Sequence, residues 1–297
     1  MTATTASARC GRAAALALAA AAFSHGASAF VTFGNGSGSK WDDPQFGTGA
    51  VVTWSFIAPS AGVRSDLGFL AGTNSLGTGD GNDVRRIIDE ANGSGAFDAA
   101  LQRAFATWAA AANLTFVQVA DSGADFGEFA PGSIGPDIRI GAYTFVDGNG
   151  DPVAFSGGAG FGPPGNDLLF PDPLAGDLAL NDFNLFAIAP GAEGDALPTG
   201  PGGLYLNDLE GLLLHEIGHT LGLGHSDVVD GVMCGYQADA PGFDGSACDY
   251  SHINRVLGSD DLQGIQTIYG PAPVPVPAAL WMLAPALAGL ASARRRR

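Results

Sequence analysis

Residues 215–225 constrain the fold of this 297-residue chain more than any other stretch. They carry His215, Glu216, His219, Gly222 and His225 in the order H-E-x-x-H-x-x-G-x-x-H. Two histidines four residues apart share a face only on a helix, so the chain must be helical through His219. His225 can join them only if the chain leaves that helix sharply and swings back, and Gly222 tolerates the positive φ such an exit needs. Three imidazoles meeting at one point are the ligand set of a catalytic zinc, which takes three protein ligands and keeps a fourth position for water.

Glu216 stands beside a ligand rather than four residues from one, so its carboxylate should face a metal-bound water instead of the metal. There it can serve as general base and later return the proton to a leaving amine. Met233 follows at the distance expected of a methionine turn, an apolar floor beneath the three imidazoles. Without residues 1–29 the chain keeps four histidines, three of them in the motif; His252 is left with no assigned role.

The rest of the chain predicts one α+β domain. Residues 51–57 are β-branched and aromatic and read as a strand; residues 84–91 suggest a short helix. Phe97, Leu101, Phe105 and Trp108 recur at helical spacing, which predicts an amphipathic helix over 96–112. Strands are expected at 114–119 and 137–140, followed by a long loop-rich section to Gly203. The motif helix should start at Asn207 or Asp208, either of which can cap it, and run through Leu221. A last helix should take Ser259 as its N-cap, set Asp260 and Asp261 at the positive end of its dipole, and stop at Gly270-Pro271.

The run from His215 to Ser226 resembles the zinc helix of the matrixin branch of the metzincins, the group that contains the matrix metalloproteinases. Residues 101–119 are similar to that family's first helix and next strand, 137–140 to a following strand, and 259–270 to its final helix. The resemblance implies a metzincin fold: a twisted mixed sheet flanked by helices, with the zinc helix flooring a cleft for an extended peptide. It also implies a zinc endopeptidase acting on protein or peptide substrates. Two rivals are a non-catalytic surface or biofilm-matrix protein with a structural zinc, and an enzyme that trims terminal residues. Glu216 argues against the first, since a structural site needs no base; no feature that would block one end of the cleft supports the second.

The family's second, structural zinc uses histidines from the loop section, and residues 137–203 contain none, so one zinc is expected. Residues 59–95 look like an insertion, and Arg9-Cys10-Gly11 is assigned no inhibitory role. Asp147, Asn149 and Asp151 place oxygen ligands at alternate positions on a glycine-flexible loop. That is either part of a calcium loop, which the resemblance favours slightly, or a plain Asn/Gly turn.

Residues 1–29 read as a secretory signal, with Arg9 and Arg12 ahead of an apolar run and Ala27-Ser28-Ala29 as cleavage site; the run is short for a membrane anchor. Only Cys234 and Cys248 then remain, and outside the cytoplasm such a close pair is expected to form a disulfide. Without residues 1–29 and 271–297 the chain keeps 7 basic against 30 acidic residues, a net charge of −23. Such a domain is repelled by phosphate backbones, which excludes nucleic acid as a partner. Residues 271–277 form a stiff Pro-rich spacer, followed by an apolar stretch over 278–293 and Arg294 to Arg297. This end resembles the PEP-CTERM sorting tail of Gram-negative bacteria, with Val276 where glutamate is commoner. The resemblance implies transient membrane association, processing by an exosortase-type enzyme, and a cell-surface or extracellular domain spanning residues 30–270; a simple membrane anchor is the alternative.

Overall fold

The computed structural model describes residues 30–33, 39–128, 135–154, 156–164, 172–200, 206–235 and 248–274. The signal over 1–29 and the sorting tail from residue 275 onward lie outside the described residues.

The architecture is α+β. Strands β1 (Ala50–Phe56), β2 (Leu70–Ala71), β3 (Leu114–Gln118), β4 (Ile138–Phe145), β5 (Gly158–Gly160) and β6 (Asp177–Asn181) build one mixed sheet. Its order is β3-β1-β4-β6-β5, with β2 attached to the far end of β4. The first four strands of that path run parallel, and β5 closes it antiparallel to β6 with Gly158 opposite Leu180 and Gly160 opposite Leu178. A second, two-stranded ribbon joins β7 (Phe186–Ala187) to β8 (Asn207–Asp208).

Among the described residues four α-helices complete the fold: α1 (Val84–Asn92), α2 (Ala96–Ala111), α3 (Leu209–Thr220) and α4 (Ser259–Tyr269). In α2 the expected stripe of Phe97, Leu101, Phe105 and Trp108 is buried. Trp108 also reaches across to α3, where its Nε1 donates to the Leu214 carbonyl at 2.9 Å, so a hydrogen bond as well as apolar packing sets the spacing of the two helices. Asp208 caps α3 as expected, accepting from the Gly211 amide at 3.0 Å.

Two apolar clusters lie on the sheet. The larger gathers β1, β4 and β6 with all four helices; the smaller unites Ile57, Leu67, Leu70, Phe126, Tyr143, Phe145, Phe161, Leu174 and Ala179. Because the sheet is covered on both faces, β6 is buried at all five positions and β4 at seven of eight. This corrects the expectation of a loop-rich stretch between residues 140 and 203: it contains β5, β6 and β7, and β4 itself runs on to Phe145. A strand buried on both faces shows no polar–apolar alternation to read.

Residues 59–95 are woven into this core. Asn74 is buried; its amide donates to the Ile57 and Ala58 carbonyls, and its Oδ1 accepts from the Ala142 and Leu76 amides. One cap differs from expectation: Gly258, not Ser259, is the N-cap of α4. The capping work falls to Asp261, whose carboxylate accepts from the Gly258 amide at 2.8 Å.

Candidate metal centre

Helix α3 presents His215 and His219 one turn apart, and the chain then leaves it through Gly222, whose φ is +102°. The sharp exit returns His225 to the other two. The three Nε2 atoms lie 3.1–3.2 Å from one another. A tetrahedral zinc with Zn–N bonds of about 2.0–2.1 Å separates its ligand nitrogens by about 3.3 Å, so the spacing fits one shared ion. Among the described residues this is the one cluster of three or more His, Cys, Asp or Glu side chains gathered closely enough for a metal.

Tautomers support the same conclusion. His215 Nδ1 donates to the Val232 carbonyl at 2.7 Å and His219 Nδ1 to the Leu223 carbonyl at 2.8 Å. A carbonyl can only accept, so each Nδ1 holds the proton and each Nε2 turns a lone pair toward the centre. Burial lowers the pKa of His215, offset in part by the Val232 carbonyl and Asp261; burial, then His215 and His225, hold His219 well below the ordinary imidazole value. Neutral imidazole is the form that binds a metal.

Glu216 is buried, and its Oε2 accepts from the Gly160 amide of β5 at 2.7 Å. Burial pushes its pKa up to about 8, against the pull of that amide. The glycines of β5 make this contact feasible. A Cβ on Gly160 would lie 2.2 Å from the Glu216 carbonyl oxygen, and one on Gly158 3.0 Å from Glu216 Cγ. The glycines at 157, 158 and 160 therefore mark a close approach of strand to helix inside the section the sequence presented as loop-rich.

Met233 is buried under α3, and a Cβ on Gly218 would meet its sulfur at 2.4 Å and Trp108 at 2.9 Å. Its turn is held by Asp261, which accepts from the Val232 and Met233 amides at 2.7 and 3.1 Å. Ser226, next to the third histidine, donates to Asp260 at 2.6 Å. Asp260 and Asp261 thus brace the site as well as favouring the start of α4, a role that sequence spacing did not reveal. Cys234 and Cys248 are joined in a disulfide, with Cα atoms 5.7 Å apart.

The acidic loop lies apart from this centre. Asp147 Oδ1 accepts from the Asn149 and Asp151 amides at 2.8 and 3.0 Å, and the Asp147 amide donates to the Asp151 carbonyl at 2.9 Å, so its three residues form a closed turn. His252 is in a loop with its Nδ1 2.8 Å from Asp249 Oδ2.

Comparison with known proteins agrees with the geometry. The family model described as Matrixin matches residues 86–270. The chain is 35% identical over 175 residues to human Matrix metalloproteinase-16, which covers 58% of this chain and 23% of that protein. It is 29% identical over 192 residues to Metalloendoproteinase 4-MMP of Arabidopsis thaliana, 64% of this chain and 41% of the relative. Against Interstitial collagenase of Sus scrofa it is 29% identical over 181 residues, 60% and 29% of the two chains. The chain thus spans well under half the length of these relatives. Since the matched region runs from α1 to the cap of α4 and encloses the three histidines, the chain belongs to the matrixin family.

Proposed function

We propose that this protein is an exported zinc-dependent endopeptidase with His215, His219 and His225 as zinc ligands and Glu216 as catalytic base. The observation that carries the reading is the pairing of three convergent Nε2 atoms with a buried carboxylate fixed by a strand amide. When bound, zinc supplies a Lewis acid that acidifies a coordinated water and polarises a scissile carbonyl.

The chain's own groups supply the rest. The carbonyls of Val232 and Leu223 fix two imidazoles in the ligating tautomer. With Oε2 of Glu216 held by Gly160, Oε1 is the atom that takes the proton from the nucleophile and gives it to the leaving amine. Among the described residues β5 is the edge of the sheet, so an extended peptide can lie along its outer side next to Glu216. The relatives' names, metalloproteinase and metalloendoproteinase, agree with this chemistry.

Finer parts of the proposal rest on sequence. One zinc per chain follows from the absence of histidines over 137–203. Export rests on the signal over 1–29 and agrees with the Cys234–Cys248 bridge. Structural calcium at Asp147, Asn149 and Asp151 stands beside the plain Asn/Gly turn as its alternative, the Asp147 carboxylate closing the loop on the Asn149 and Asp151 amides in either case.

The test is cleavage of casein or a quenched-fluorescence peptide library before and after chelation. We expect activity to vanish with the metal and to return on addition of one equivalent of zinc. Undiminished cleavage by the metal-free protein would overturn the proposal.

A further inference from the structure

The last carbonyls of an α-helix have no amide partner within it. At the end of α3 such carbonyls are met by donors from elsewhere in the chain. Trp41 Nε1 donates to the Thr220 carbonyl at 2.7 Å, the Tyr269 hydroxyl to that of Leu221 at 3.0 Å, and the Phe33 amide to that of Gly222 at 2.9 Å. The same short segment accepts in return: the Gly224 amide donates to the Val31 carbonyl at 2.8 Å, and Thr32 and Leu223 form an antiparallel bridge between these two bonds.

These contacts fall on the few residues that link the second zinc ligand to the third. Leu223 is the pivot, because its carbonyl also accepts from His219 Nδ1 at 2.8 Å. The Phe33 ring stands 5.8 Å from the His219 imidazole. Gly162, just past β5, leaves room for it, since a Cβ there would lie 2.6 Å from that ring. Trp41 is buried, and its own amide donates to the Tyr269 hydroxyl at 3.4 Å, so residues 31–33 and Trp41 form a strap that grips the turn together with α4.

We infer that residues 31–33 and Trp41 are positioning residues of the metal centre: they hold the 220–224 turn so that His219 and His225 are set at ligating distance before zinc arrives. The inference rests on the zinc reading above. It places outside the H-E-x-x-H-x-x-G-x-x-H motif a share of the affinity for the metal, because a ligand turn ordered in advance need not be ordered by the ion.

The experiment uses the full chain with three substitutions. Phe33→Pro removes the amide donor to Gly222, Trp41→Phe removes the indole donor while keeping a ring, and Phe33→Ala keeps the amide and removes only the ring. Zinc dissociation constants come from competition with a chromogenic chelator. Melting temperatures are taken with and without metal. Phe33→Pro and Trp41→Phe should each weaken zinc binding about tenfold, and the pair up to about a hundredfold, the range for lost support of ligands. Their melting points should fall more in the zinc-loaded than in the metal-free state, and Phe33→Ala should bind zinc more tightly than Phe33→Pro. Unchanged zinc affinity in both Phe33→Pro and Trp41→Phe, or equal losses of melting temperature with and without metal, would overturn the strap. An unsubstituted chain that binds no zinc would overturn the metal reading itself.

Discussion

Gly218 shows how tightly single positions are drawn at this centre. It lies inside the motif without being a ligand, and its missing side chain lets Met233 and Trp108 press against the zinc helix. Gly218→Ala forces a Cβ to within 2.4 Å of the Met233 sulfur. The variant should lose roughly 1–3 kcal/mol of stability, as overpacked cores do, even though alanine is the better helix former. Urea unfolding measures this directly, and a variant at least as stable as the parent would show that Met233 moves aside freely. Of the residues that build the site, His215, Glu216, His219, Gly222, His225 and Met233 stood out in the sequence because each answers a spacing rule. Asp261 and Gly160 did not. Each contributes through a backbone amide far along the chain, and no local pattern records which amide a carboxylate or glycine will meet.

At the scale of elements, α2 was legible from its stripe of Phe97, Leu101, Phe105 and Trp108, and α3 from the histidine spacing and the Asp208 cap, although Glu216 to Thr220 are buried in succession. β6 was not, since it is buried on both faces and begins and ends with Asp177 and Asn181, residues that read as turn formers. Those polar ends are used. Asp177 Oδ2 accepts from the Gly127 amide at 2.7 Å and lies 3.7 Å from Arg139 Nη1, while Arg139 Nε donates to Asp121 Oδ1 at 3.0 Å. Burial pushes the Asp177 pKa up to about 7 despite Arg139. A carboxyl whose pKa is higher folded than unfolded gives stability that is complete below about pH 4 and fades as pH rises toward 7. Asp177→Asn keeps an acceptor for Gly127 and removes the charge. Relative to the parent, it should gain on the order of 4 kcal/mol between pH 4 and 8, read from denaturation curves at each pH. A constant difference across that range would show that Arg139 neutralises the carboxylate fully.

For the whole molecule, the metal centre joins parts that are distant in sequence: β5, the zinc helix, the Met233 turn, α4 and the strap at residues 31–33. Among the described residues no helix is long and apolar enough to cross a membrane. The sorting tail expected from the sequence over residues 271–297 has an apolar stretch over 278–293 that is short and broken by Pro285. Intact mass of protein from its native host should give a species ending near Pro277; a membrane-bound chain still ending in Arg297 would favour a permanent anchor. The central claim, that this matrixin is a peptidase whose base is Glu216, has a more direct test. Glu216→Ala should bind one zinc per chain as the parent does, because the ligands are untouched. Peptide cleavage should nevertheless fall by about two to four orders of magnitude, the usual contribution of a general base. Near-normal cleavage by a zinc-loaded Glu216→Ala protein would contradict the account.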